Sequence, residues 1–386
     1  MSLFAAIKSS MIGLASILAL SFALPAMAQK SEEPEKPVVQ RDPNAVPRGA
    51  IITMGDRDGK NMVGVYMTAG ILERILPLLE EEKIDIVVFR FYSGGGMLLE
   101  IKPLSDIIQN KYKKKFHSVA WIESAISAAA MTAHTFNDIY FTTQANYGAC
   151  TGFAGSLDRP MTGQGLEQVL ALMEVISDRG GHDTRIMRAM QISSDDGDIN
   201  DLQIELPSGA LSANIDEKTG DVTWYQDTSS GKHVLNPTAG RRILTFNSQT
   251  AAQFKFSKGT ADTLDELTQL LGYKEIEWVG QKTPAILWPV CKAEKKNLDF
   301  RNNTKRDEDM FISYYRQYTM NVAAAQGAAT REERLKFLNK AKQGLAKLED
   351  MLRNNPNMAL SVLQMYPEDA RKWLDEQKKI IKDLSK

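Results

Sequence analysis

Apolar residues follow two rhythms along this chain. Between residues 49 and 145, short unbroken apolar runs alternate with segments whose apolar positions recur every three or four residues. The runs, residues 49–56, Ile84–Phe89, Ser118–Ile122 and Asp138–Thr142, read as strands buried on both faces. The segments between them read as helices. Thr68–Glu81 carries Ile71, Ile75, Leu78 and Leu79 on one side, and a second helix carries Leu98, Ile101, Leu104, Ile107 and Ile108. A third, built of small residues, spans about Ser124 to Phe136. Alternation of this period predicts a parallel sheet covered by helices.

Further along, Leu166–Ser177 closes at Gly180-Gly181 as another helix. Residues about 198–241 break the rhythm. Leu202–Leu206 alternates, and Glu217–Gly220 precedes Val222–Tyr225 as the turn of a hairpin would, so a small antiparallel insertion is expected. Parallel-domain character returns at Arg242–Phe246, followed by helices over Gln249–Phe254 and Thr263–Leu271. From Asp307 the pattern is helical, with Leu335, Leu338, Leu345, Leu348 and Leu352 on one stripe. Asn354-Asn355-Pro356 interrupts it and Ala370–Leu384 resumes, which predicts a hairpin docked on the core or on another subunit. The division expected is an α/β domain over 49–275, a linker over 276–306 and an α-helical region over 307–386.

Composition narrows the function classes. A net charge of −1, with 25% charged and 43% hydrophobic residues, gives no electrostatic footprint for nucleic acid. Lys111–Lys115 is too short a basic run to change that. At the N-terminus Lys8, an apolar stretch from Met11 to Leu24 and Ala26-Met27-Ala28 form the pattern of a cleaved signal peptide over residues 1–28. Residues 29–48, rich in Glu, Lys, Pro and Gln, follow as a flexible leader. Export, to a bacterial periplasm, is the expectation. The two cysteines, Cys150 and Cys291, sit in apolar contexts and read as buried free thiols, with a disulfide, which an oxidising compartment would permit, as the alternative.

Two turns carry candidate chemistry. Tyr92-Ser93-Gly94-Gly95-Gly96 follows a strand, and consecutive glycines allow torsions and close approaches closed to other residues. Glu123–Ala130 places Ser124 and Ser127 where a strand passes into a small-residue helix, with amide N–H groups free at the helix start. The glycine turn is not a phosphate loop, since no Lys-Ser/Thr pair follows it. Asp195-Asp196-Gly197-Asp198 resembles a fragment of a calcium loop but lacks the later glutamate, and reads as a surface turn. No cofactor or metal is expected.

Phe89–Gly96 is similar to the strand and glycine turn of the ClpP/crotonase superfamily, written there with Asn or Asp, Ser, Pro and two glycines. Ala125-Ile126-Ser127-Ala128 resembles its nucleophile motif, and Asp138–Phe141 with Gly148-Ala149-Cys150 resembles the next strand and turn. Ile243–Ala252 and Thr263–Leu267 extend the resemblance, most closely to exported NfeD-type and signal peptide peptidase A-type serine proteases. It covers about residues 50–275, leaves the C-terminal helices unexplained and implies a repeated ββα spiral core, to which the residue pattern adds the small antiparallel insertion and the helical C-terminal extension.

The resemblance further implies a serine endopeptidase acting on protein or peptide, assembled as a homo-oligomer. Ser127 would be the nucleophile, with Ser124 the alternative. The N–H groups of Ala128 and of Gly95 or Gly96 would form the oxyanion hole. Gly94 stands where the family has proline. NfeD-type enzymes take the proton with a lysine and Clp-type enzymes with a histidine near the position of Cys150 or Thr151; no lysine lies between Lys115 and Glu217. His134 and His182 are the remaining candidates, and Arg159 is too basic to accept a proton. The other reading open here is a catalytically inactive relative that binds a protein partner through its C-terminal helices. A crotonase-like acyl enzyme ranks last, because an exported chain has little access to coenzyme A.

Overall fold

Each apolar run becomes a strand whose neighbouring residues face opposite layers. A computed structural model describes residues 45–153, 160–192, 209–236, 243–284 and 286–386. Strands β1 (Arg48–Met54), β3 (Ile86–Ser93), β5 (His117–Ile126) and β6 (Ile139–Gly148) lie side by side and parallel. β11 (Glu277–Trp278) adds parallel to β1. β10 (Thr245–Asn247) adds antiparallel to β6, where parallel character was expected. The six-stranded order is β10-β6-β5-β3-β1-β11. Ile52, Phe89, Ile122 and Phe141 face one layer, with Ile71, Ile75 and Leu79 of helix α1 (Ala69–Glu81). Ile51, Val88, Trp121 and Tyr140 face the other, against Ala261, Leu267 and Ile276. Burial on both sides is why these strands read as unbroken apolar runs.

The first two units repeat as strand, short strand, helix. β2 (Met62–Val63) and β4 (Gly95–Gly96) leave the main sheet and pair with each other in parallel. Thr68 caps α1, its hydroxyl accepting the Ile71 N–H at 3.2 Å. The second unit's helix contains α2 (Ile101–Ile107) and continues through a π turn over Ile108–Tyr112. The third helix differs from expectation. β5 shifts register at Glu123 but goes on pairing with β3 and β6 through Ser124 and Ala125, so α3 (Ala128–Ala133) begins four residues later than Ser124. α4 (Gly163–Gly180) and α5 (Thr184–Gln191) follow.

Within 198–241 the described residues form a three-stranded antiparallel sheet, β7 (Leu211–Ile215) between β8 (Val222–Tyr225) and β9 (His233–Asn236). Leu202–Leu206 and the Asp195–Asp198 cluster lie outside the described residues, as do Arg159 and the leader-like residues 1–44. α6 (Ser248–Gln253) and α7 (Leu264–Leu270) complete the α/β part, α7 with a capping box between Thr263 and Glu266.

Residues 276–306, read as a linker, are structured. They hold β11, the hairpin of β12 (Gln281–Thr283) and β13 (Ile286–Val290), and the opening turns of α8 (Lys292–Gln326). α8 is anchored by polar groups rather than by an apolar stripe. Fully buried Glu294 accepts from the Thr53 N–H at 3.0 Å, from the Thr53 hydroxyl, and from Asn297 Nδ2 at 3.0 Å. Buried Arg301 donates to Thr53 O at 2.8 Å and lies 3.9 Å from Glu294. The far half of α8 packs with α9 (Arg331–Asn354), α10 (Met358–Leu363) and α11 (Pro367–Leu384) around a separate core of Phe311, Leu338, Leu345, Leu348 and Leu374. Among the described residues no helix is long and apolar enough to cross a membrane.

Candidate active site

One residue, Ser127, makes the turn between β5 and α3. It holds φ 55° and ψ −128°, outside every region that L-residues occupy freely. Its N–H donates to Gly148 O at 2.9 Å and its carbonyl accepts the Met131 N–H at 3.0 Å, so the turn is held from both sides. The half-buried hydroxyl does not cap its own helix and has no hydrogen-bond partner among the described residues. All of Ala128–Ala133 is buried, which explains why the helix is made of such small residues. The Ala128 and Ala129 N–H groups stand in the first turn, where no intrahelical carbonyl reaches them.

The glycine turn lies directly against this serine. A Cβ on Gly95, whose φ is +109°, would sit 2.6 Å from Ser127 Cβ and 3.1 Å from Ser127 Oγ. A Cβ on Gly96 would sit 2.3 Å from Val63 O. Both approaches require glycine. A Cβ on Gly94 would meet nothing within 4 Å, so no close approach requires glycine there. Buried Ser93 sets the turn: its hydroxyl donates to Asn61 O and accepts the Gly95 N–H at 3.1 Å. The Gly95 amide, one of the two alternatives for the oxyanion donor from this turn, is therefore engaged.

Ser124 occupies a different environment. It lies within β5 rather than at the helix start, and its hydroxyl donates to Asn146 Oδ1 at 2.8 Å on β6. No helix start supplies it with free amides.

Neither histidine reaches Ser127. The Tyr147 hydroxyl gives its proton to Ala130 O at 2.8 Å, so at 3.0 Å it accepts from His134 Nδ1 and leaves Nε2 bare and buried. Seven residues of helical rise separate His134 from Ser127 by about 10 Å. His182, in the turn between α4 and α5, is partly buried and caps another element, with Nε2 donating to Phe136 O at 2.8 Å. The two rings lie 4.4 Å apart beside Phe256. Burial holds His134 well below the usual histidine range and pushes His182 down to about 4.

Cys150 approaches more closely, its Sγ 3.6 Å from Ser127 O, but burial pushes the thiol far up and keeps it protonated. Cys291 caps α8, accepting the Glu294 N–H at 3.3 Å. Both cysteines are free and buried.

Ser93 and Tyr147 were not singled out in the sequence. Ser93 stood beside the glycines, where a short polar residue often bonds a backbone two residues on; nothing local distinguished Tyr147 from a core tyrosine.

No protein-family model matches the chain, and no curated protein does. Solved structures do. One is a mutant of the 1510-N membrane-bound stomatin-specific protease, at 12% identity and TM-score 0.40, covering 61% of this chain and 89% of that one. Another is a ClpP1 mutant from Listeria monocytogenes, at 11% identity and TM-score 0.33, covering 57% and 94%. A third is an enoyl-CoA hydratase from Shewanella pealeana, at 12% identity and TM-score 0.31, covering 70% and 86%. The likeness is to ClpP/crotonase-type folds. It is a likeness of fold, and the roles of individual side chains rest on the geometry of Ser127 and its neighbours.

Proposed function

We propose that this chain is a serine-type hydrolase of ClpP-like kind acting on peptide bonds, with Ser127 as nucleophile. The observation that carries the reading is the Ser127 turn: a non-glycine residue at φ 55°, ψ −128°, alone between strand and helix. Backbone strain of that kind persists where the surrounding structure enforces it, and a sharp strand-to-helix turn lifts a serine hydroxyl clear of its own backbone. Ser127 Oγ would attack the peptide carbonyl, and the Ala128 N–H would meet the developing oxyanion. Gly96 is the second candidate donor, because the Gly95 amide is held by Ser93. The attack also needs a proton acceptor.

A second reading has its own support. Among the described residues no group hydrogen-bonds the Ser127 hydroxyl, and the Gly95 amide is occupied. These features suit an inactive relative that binds peptide or protein without cleaving it. Labelling the purified protein with a fluorophosphonate probe, beside Ser127→Ala and Ser124→Ala, separates the two. The hydrolase reading expects labelling lost in Ser127→Ala and kept in Ser124→Ala. Labelling that survives Ser127→Ala removes the assignment, and an unlabelled wild type favours the silent relative.

Export through a cleaved leader over residues 1–28 and assembly as a homo-oligomer belong to the same proposal. N-terminal sequencing of the periplasmic form and light scattering on a sizing column test them.

A further inference from the structure

The Asn354-Asn355-Pro356 interruption of the helical tail does more than end a helix. It turns two asparagine side chains onto the α/β core beside the glycine turn. Asn355, 5% exposed, closes α9 and donates Nδ2 to Val65 O at 2.7 Å. Asn357 precedes α10 without capping it and instead donates Nδ2 to Glu100 Oε2 at 2.6 Å. The other Glu100 oxygen accepts the Ala69 N–H at 2.7 Å, at the start of α1. Glu308 of α8 adds a third contact, to the Tyr66 hydroxyl.

The groups held in this way flank the glycine turn. Val65 belongs to a tight turn that begins at β2, with Val65 N–H and Tyr66 N–H both donating to Met62 O, at 3.2 and 2.9 Å. β2 pairs residue for residue with β4, Met62 with Gly95 and Val63 with Gly96. Val63 O accepts the Met97 N–H at 3.0 Å. Glu100 stands four residues beyond Gly96, in the turn that opens α2. β4 is therefore held through β2 on one side and through Glu100 on the other, while Gly95 rests on Ser127.

We infer that Asn355 and Asn357 are positioning residues for the Ser127 site: the helical tail fixes the β2–β4 pair and thereby the distance of the Gly95-Gly96 backbone from Ser127. The inference rests on the hydrolase reading only for what that distance serves. The tail thus becomes a lever, since a partner that shifts α9 and α10 moves the glycine turn.

The test is hydrogen–deuterium exchange on the full-length chain, read on peptides covering 62–69 and 95–101, with peptides from the β7–β9 sheet as control. Asn355→Ala combined with Asn357→Ala should speed exchange at least about tenfold in the two test peptides and leave the control unchanged. Asn357→Asp, which keeps the shape and removes the donor, should do the same over 95–101 if the double variant fails to fold. Unchanged exchange in the test peptides overturns the inference, and so does an equal rise in every peptide. Where the wild type labels with fluorophosphonate, the same variants should label at least about tenfold more slowly. An unlabelled wild type defeats the hydrolase reading and leaves the exchange test intact.

Discussion

Replacing Ser127 with glycine should stabilise the protein while removing the proposed nucleophile. The backbone at φ 55°, ψ −128° is one that glycine adopts freely and other residues hold only at about 1–3 kcal/mol. Ser127→Ala keeps that strain and Ser127→Gly releases it. Both lack the hydroxyl, so the difference between the two variants isolates the backbone. Against the release stands the extra freedom glycine has in the unfolded chain, about 0.5–1 kcal/mol. The net expectation is that Ser127→Gly exceeds Ser127→Ala by about 0.5–2 kcal/mol, or a Tm difference on the order of 1–4 °C. Urea unfolding of the two variants side by side measures it, provided their m-values agree. If Ser127→Gly is no more stable than Ser127→Ala, the turn carries no strain, and the argument from turn to nucleophile fails with it.

Three further changes test the surroundings. Gly95→Ala places a methyl 2.6 Å from Ser127 Cβ and 3.0 Å from Ile126 O at a φ of +109°; it should destabilise by about 2–4 kcal/mol and abolish labelling, and a labelled, wild-type-stable Gly95→Ala would show that the glycine turn can move away. Glu294→Ala leaves buried Arg301 without its fully buried carboxylate partner, with only the part-exposed Asp56 and the Thr53 carbonyl beside it, and should cost about 3–5 kcal/mol in a denaturation curve. Glu294→Met with Arg301→Met should recover much of that loss, and a single variant within 1 kcal/mol of wild type, read as about zero on this scale, would refute the role of the network. The pair His134 and His182 predicts acid sensitivity. Folded, both stay neutral, with Lys113 and Lys258 further disfavouring charge on His182; unfolded, they titrate near 6.5. Stability should therefore be complete above about pH 6.5 and fall as pH drops toward 4, His182 alone contributing up to about 3 kcal/mol of the loss. His182→Gln should flatten that slope, and an unchanged slope would sink the account.

What was legible in the sequence is what local chemistry decides. Ile51 beside Ile52 and Val88 beside Phe89 announce strands buried on both faces because adjacent side chains must both leave water. The glycine turn and Ser127 were legible for a similar reason, since torsions that only glycine adopts freely and a run of alanines both act within a few residues. The start of α3 was not, because β5 is drawn out to Ile126 by pairing with β3 and β6 rather than by its own preference.

Long-range partners account for the larger misreadings. Glu294, Asn297 and Arg301 fall in the stretch read as a linker, and their burial is made favourable by Thr53 and its neighbours, more than two hundred residues away in the chain. The Phe136 carbonyl that His182 meets lies 46 residues earlier in the chain, so no local pattern announces that contact. Asn355 reads only as part of the Asn354-Asn355-Pro356 interruption. The same logic separates the two halves of the candidate site. The proposed nucleophile and oxyanion amides sit in two short turns, Gly94–Gly96 and Ser127-Ala128, and each turn is fixed by its own few residues. A proton acceptor for Ser127 can come from any element that packs nearby, so it follows no spacing, and it must be sought by its proximity to Ser127 Oγ.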